Sequence, residues 1–181
     1  KRMLEVQSKA YQEQYNRDYI CVIPTNIYGE HDNYNLEDSH VIPGLIHRCY
    51  NSKKNNEKFV VRGTGKPLRQ FIYSKDLAKL IMFILEEYDQ KDSIILSVDE
   101  KDEVSIDFIA RHIARKFDYE NNLIYDSSFS DGQYKKTADN TKLRNLLKQS
   151  EKYKSFQFEE ISKGISTSVD WFIENFDKAR K

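Results

Sequence analysis

Residues Pro24 to Arg48, P-T-N-I-Y-G-E-H-D-N-Y-N-L-E-D-S-H-V-I-P-G-L-I-H-R, constrain this chain more than any other stretch. A short apolar run, Tyr19 to Ile23, comes just before it and predicts a buried strand. A long polar, turn-forming segment follows, and an apolar helical pattern begins only near Val41. Such segments in compact domains are functional loops or disordered ones, and Ile27, Tyr28, Tyr34 and Leu36 give this one its own packing. In open α/β sheets, loops at the carboxyl ends of strands bind the ligand. The loop holds His31 and His40, two of the chain's four histidines, and the helical stretch after it reaches Arg48. A proton-exchanging imidazole and a guanidinium shaped for phosphate thus fall on one loop and the helix after it.

The 181 residues suit one domain, or one domain and a fragment. Lys plus Arg and Asp plus Glu both number 29, whereas a nucleic-acid binder normally carries a basic excess. Nucleic acid is therefore disfavoured as a partner, while a local cationic pocket is still allowed. No apolar run approaches the ~20 residues of a membrane-spanning helix, and the first residues lack a secretory signal pattern. Cys21 and Cys49 lie in apolar settings without metal-ligand spacing. The expectation is buried thiols, no metal and a cytoplasmic protein.

Residues 1–16 place Met3, Val6 and Ala10, with Tyr11 and Tyr15 less regularly, near one helix face. No cap precedes Lys1, so the chain is expected to start inside a helix, as a truncated piece. Val41 to about Lys53 predicts a helix with Ile42, Leu45, Ile46 and Cys49 inward, Arg48 outward and Pro43 in its first turn. Phe59 to Arg62 predicts a strand closed by Gly63-Thr64-Gly65-Lys66-Pro67. That string is a turn and no phosphate loop, because Val60 stands at the first glycine position and Pro67 follows the lysine. Ser74 is expected to cap a helix carrying Leu77, Leu80, Ile81, Ile84 and Leu85, and Ile94 to Val98 forms a strand. Val104 and Ile109 staple a helix around the cap Ser105, with Phe108, Ile109, Ala110 and Ile113 inward. Leu123 to Tyr125 is a short strand. The last helix, from about Phe158 to Ala179, carries Ile161, Ile165, Val169, Phe172 and Phe176 as a core stripe.

Three blocks carry a family resemblance. P-T-N-I-Y-G-E-H-D-N followed by S-H-V-I-P-G-L-I-H-R resembles the matching segment of the GDP-L-fucose synthases, a family of extended short-chain dehydrogenase/reductases. Arg69-Gln70-Phe71-Ile72-Tyr73-Ser74-Lys75-Asp76 is similar to the Arg-acidic-Phe-(Ile/Leu)-His/Tyr-x-x-Asp pattern of that superfamily, with Gln70 in place of the acid. Ser130-Asp131-Gly132-Gln133-Tyr134-Lys135-Lys136-Thr137 resembles the family's substrate loop.

The resemblance implies an α/β fold of the NAD(P)-binding Rossmann type, of which this chain is the carboxyl-terminal half. Residues 1–28 and about 70–98 would be trailing elements of the cofactor sheet, and about 29–69 and 99–181 the substrate-binding part. The implied activity is 3,5-epimerisation of GDP-4-keto-6-deoxy-D-mannose followed by NADPH-dependent reduction of the 4-keto group. By resemblance, His40 is an epimerisation acid/base that also touches the cofactor, since an imidazole both gives and takes a proton near neutrality. Lys1 matches the lysine of the family's Tyr-x-x-x-Lys pair, catalytic and cofactor-binding, whose members share a helix face. Pro24, Thr25, Asn26 and Ile27 would line the nicotinamide side. Arg48 and Arg69 would grip the diphosphate, Asp131 would accept from the guanine edge or ribose, and Lys136 would join the substrate contacts. Arg62 is placed with the substrate contacts too, but it stands where the resemblance leads one to expect tryptophan, which leaves its role there open. A homodimer is implied for the full-length protein, and the fragment alone is expected to be inactive. Two alternatives share much of this pattern: another nucleotide-sugar epimerase or dehydratase, and a non-catalytic truncated substrate domain.

Overall fold

The computed structural model describes residues 2–181. In chain order it comprises α1 (Arg2–Tyr15), β1 (Val22–Pro24), β2 (Asn26–Tyr28), α2 (Val41–Asn55), β3 (Phe59–Arg62), β4 (Leu68–Arg69) and β5 (Phe71–Tyr73). There follow α3 (Ser74–Glu87), β6 (Ile94–Leu96), β7 (Val104–Ser105), α4 (Ile106–Lys116), β8 (Leu123–Asp126), β9 (Lys135–Lys136), α5 (Thr141–Gln149) and α6 (Ile161–Glu174). Three parallel pairs form the frame: β1 with β6, β2 with β5, and β3 with β8. Each joins strands separated by at least one helix, as parallel pairing requires. β4 lies between β7, antiparallel, and β9, parallel.

Two cores fill this frame, and the pleat of the three-residue strands β2 and β5 serves both. Strand side chains alternate between faces. Phe71 and Tyr73 of β5 accordingly enter a core built from α2, α4, α6 and β3, with Ile46, Phe59, Ile109, Ile113, Val169 and Phe172 at its centre. Ile72, between them, enters a second core with Leu77, Leu80 and Phe83 of α3, Ile94 and Leu96 of β6, and Leu143 and Leu147 of α5. β2 divides likewise: Tyr28 sits in the first core and Ile27 packs on the second.

The structure departs from the sequence expectations in several places: on α3, Ile81 and Leu85 are exposed, Cys21 is only partly buried, and α6 is confined to Ile161–Glu174. The strand expected over Tyr19–Ile23 is shifted to Val22–Pro24, and what reads as loop after Pro24 begins with a further strand, β2. Ser74 is the first helical residue of α3, with Tyr73 in the cap position. Phe108 is 40% exposed, because it lies on the outer side of α4 and stacks on His112. α1 forms as expected, yet Met3, Leu4, Val6, Tyr11 and Tyr15 are exposed and only Gln12 is buried. α5, placed by sequence with the substrate part, packs on the core of α3 and β6. Ser105, by contrast, caps α4 as expected, accepting from Phe108 N.

Candidate functional site

α2 starts where the backbone allows it. His40 adopts an extended cap conformation (φ −69°, ψ 170°), and its carbonyl accepts from Gly44 N at 3.0 Å. Its imidazole makes no capping bond and borders a pocket of about 330 Å³. Arg48, Arg62, Arg69 and Asp131 border the same pocket, as does Glu37. Five residues singled out by sequence, drawn from α2, β3, β4 and the segment between β8 and β9, thus meet in one place.

The three guanidiniums are in different states. Arg48 lies two turns into α2, half-buried, and among the described residues it forms no ion pair or hydrogen bond. Burial, and after it the positive charge of Arg62, holds its guanidinium below the ordinary arginine value. Arg62 ends β3 and lies over the Phe129 ring, its guanidinium carbon 4.8 Å from the centroid. Arg69 is committed elsewhere. Its Nη1 donates to Leu68 O at 2.7 Å and Tyr134 O at 3.4 Å, and its Nη2 to Gln133 O at 2.7 Å. The diphosphate fork expected of Arg69 is therefore turned onto the carbonyls of the β8–β9 connection.

Asp131 is also committed. Its Oδ1 accepts from Thr64 N and its Oδ2 from Thr64 Oγ1, both at 2.6 Å, and these bonds hold its carboxyl below the usual carboxylate value. Gly63, at φ +86°, permits this approach, since a Cβ there would collide with the same carboxylate. Asp131 thus ties its segment to the turn after β3, with one lone-pair site left on each carboxylate oxygen. Lys136 is exposed on β9, opposite Arg69 in the strand register, and does not line the pocket.

Of the residues expected at the cofactor, His40 lines this pocket, while Pro24, Thr25, Asn26 and Ile27 lie apart from it, where β1 passes into β2. Thr25 N donates to Leu96 O at 3.2 Å, and Asn26 Nδ2 donates to Gln70 O at 2.8 Å. Pro24 pairs with Leu96, and Ile27 packs on the second core. Thr25 Oγ1 is the one buried side-chain polar atom among the described residues without a hydrogen-bond partner. Native proteins rarely leave such a group unpaired, and one at a strand's carboxyl end is available to a ligand. Lys1 lies outside the described residues.

Sequence reasoning missed several supports. Gln70 is fully buried; its Nε2 donates to Val98 O (2.9 Å) and Ala138 O (3.3 Å), and its Oε1 accepts from Ala138 N (2.7 Å). The substitution of an amide for the acid was the signal, because an ionised acid could only accept, whereas these contacts need a donor to two carbonyls as well as an acceptor. His47 is buried, with Nδ1 2.8 Å from Tyr34 O. Asp32 is half-buried, and burial raises its carboxyl despite a bond from Asn33 N and the positive charges of His40 and Arg180.

Residues 1–98 match the model of the NAD dependent epimerase/dehydratase family. The whole chain is 50% identical to the GDP-L-fucose synthase of Dictyostelium discoideum, spanning 55% of it. Against the GDP-L-fucose synthase of Escherichia coli (strain K12), 95% of the chain aligns at 33% identity, spanning 54% of that protein. A crystal structure of a GDP-L-fucose synthetase from Naegleria fowleri bound to NADP superposes on the full chain with TM-score 0.92 at 41% identity, over 54% of its length. The chain spans about half the length of these relatives. With the family model covering more than half of its residues, this chain belongs to the NAD dependent epimerase/dehydratase family.

Proposed function

We propose that the chain is the substrate-facing portion of a GDP-L-fucose synthase, an NADPH-dependent epimerase and reductase acting on GDP-4-keto-6-deoxy-D-mannose. The observation that carries this reading is the pocket that unites His40 with the guanidiniums of Arg48 and Arg62, neither in an ion pair among the described residues, in a chain half identical to such an enzyme. The amino terminus of α2 and Arg48 supply the positive potential that a diphosphate needs. Arg69 and Asp131 act by holding the β8–β9 segment against that pocket. Protons on carbons beside a ketone are acidic, and His40 takes or returns one of them. The resemblance puts its partner on the sugar's opposite face, a cysteine, in the part of the relatives that this chain does not span.

The residues at the β1–β2 junction fit a nicotinamide cofactor. The orphaned Thr25 hydroxyl is free to pair with a polar group there, while Pro24, Asn26 and Ile27 fix the backbone around it. NADPH, when bound, supplies the hydride for the 4-keto carbon. Lys1 keeps its resemblance role, steadying the tyrosinate and the cofactor ribose. The same reading carries a homodimer and a cytosolic setting, supported by the exposed apolar residues of α1 and by two free thiols.

The test is solvent-deuterium incorporation at the sugar carbons beside the ketone, measured in the full-length protein. His40→Asn should slow it by roughly 10²–10⁴-fold, as expected for losing a general acid or base. Unchanged exchange in a folded variant removes His40 from the chemistry.

A further inference from the structure

Arg62 occupies a position where the resemblance would put tryptophan, and the structure shows what accompanies the change. The aromatic ring is still present, but Phe129 supplies it from the segment that also brings Ser130 and Asp131 to the pocket. Arg62 lies on that ring, exposed on its other side and bordering the pocket. Its nearest carboxylate by register is Asp126 of β8, whose Oδ1 is taken by Ser128 N and Ser128 Oγ. No ion pair forms between Arg62 and Asp126 among the described residues.

We propose that Arg62, propped on Phe129, is a specificity-determining residue that grips the nucleotide diphosphate opposite Arg48. This rests on the nucleotide-sugar reading above. Two guanidiniums beside one partly desolvated pocket repel each other, and a polyanion between them relieves that repulsion. Each terminal N–H pair then gains a charge-assisted bond. The Phe129 face holds the guanidinium in place through a cation–π contact without using its donors. Tryptophan at this position would offer an aromatic face and no charge, so Arg62 should sharpen discrimination between a diphosphate and a monophosphate.

Calorimetric titration of GDP, GMP and guanosine into the full-length protein tests this on the wild type and on R62Q, R62K, R62W and F129A. The pocket is made entirely of described residues, and Arg62 is exposed, so these variants threaten folding little. R62Q and R62W should weaken GDP binding roughly tenfold or more, the scale of a lost hydrogen bond to a charged group. GMP should lose less and guanosine nothing. R62K should recover part of the loss and F129A should show a smaller one. Raising the salt concentration should weaken GDP binding more in the wild type than in R62Q, a response that a purely structural residue would not produce. GDP affinity within twofold of wild type in R62Q, with the same salt dependence, overturns the proposal. So does an equal loss for guanosine, which would place Arg62 at the base. A wild type that binds none of the three refutes the nucleotide reading itself, and this proposal with it.

Discussion

Thr25→Val separates the structural and functional meanings of the orphaned hydroxyl. Thr25 Oγ1 is buried at the β1–β2 junction without a partner, while the Thr25 amide is held by Leu96 O. A buried hydroxyl with no partner costs about 1–3 kcal/mol. Valine keeps the branched shape, retains the amide bond and replaces the hydroxyl with a methyl, whose burial contributes up to about 0.8 kcal/mol. The substitution should therefore stabilise the chain by about 1–2 kcal/mol. With a urea m-value of about 2 kcal/mol/M, the unfolding midpoint should rise by about 0.5–1 M. Thr25→Ser is the control: it retains the hydroxyl, removes the methyl and should gain nothing. NADPH binding to the full-length protein, followed by nucleotide fluorescence, should move in the opposite direction, weakening roughly tenfold in Thr25→Val. A destabilised Thr25→Val would show that the hydroxyl has an internal partner after all. Unchanged NADPH affinity would detach Thr25 from the cofactor.

Asp99 should govern part of the acid response. Arg144 donates to both its oxygens, at 2.7 and 2.8 Å, and Asn140 adds a third bond at 2.7 Å. The Arg144 bonds hold the Asp99 carboxyl below its ordinary value against the opposing push of burial, with help from Asn140 and the charges of Arg144 and Lys101. A depressed carboxyl stabilises the fold above its unfolded pKa, and that contribution is lost as pH falls through the folded value. Asp99→Asn should cost about 1–3 kcal/mol at pH 7, and its urea midpoint should fall less than the wild type's below about pH 4. Parallel acid limbs for the two proteins would contradict this. Arg69→Ala should raise amide hydrogen exchange across residues 130–136, because Gln133 O loses its Arg69 donor and Tyr134 O keeps only Leu68 N. Unchanged exchange there, with weaker GDP binding, would return Arg69 to the diphosphate.

The readable parts of this sequence were those whose signals are local. α2 declared itself through its inward Ile42, Leu45, Ile46 and Cys49, and that periodicity placed Arg48 opposite them. β2, β4 and β5 are two or three residues long, too short for an alternation to register, and they hid inside a segment that looked like loop and signature. α5 escaped notice because its buried surface is two leucines, Leu143 and Leu147, in an otherwise polar run. The commitments of Asp131 and Arg69 rest on partners 64 to 67 residues away, which no spacing rule reaches. For α1, periodicity told which residues share a face, and it was silent on whether anything covers them.

The loop that carries His40 is ordered by burial more than by secondary structure. Fixing a backbone residue costs about 1–2 kcal/mol, so a polar loop stays ordered only if something offsets that cost. Tyr34, in its middle, is fully buried, stacks on Phe172 at 4.5 Å and donates to Gly29 O at 3.2 Å. Its carbonyl meets His47 of α2, and its amide donates to Arg180 O at 2.8 Å. At the loop's start Glu30 accepts from Tyr73 at 2.6 Å and from Lys75 at 2.7 Å, which binds the loop to β5 and α3. Anchors at Glu30 and Tyr34, with α2 at the far end, leave His40 on a short span whose both sides are fixed. β2 and β5 share both cores, so the same packing also sets where Thr25 lies relative to that span. His40 and Thr25, the proposed acid–base residue and the proposed cofactor-side hydroxyl, 15 positions apart in the chain, are thus held in register by the apolar packing of β2 and β5.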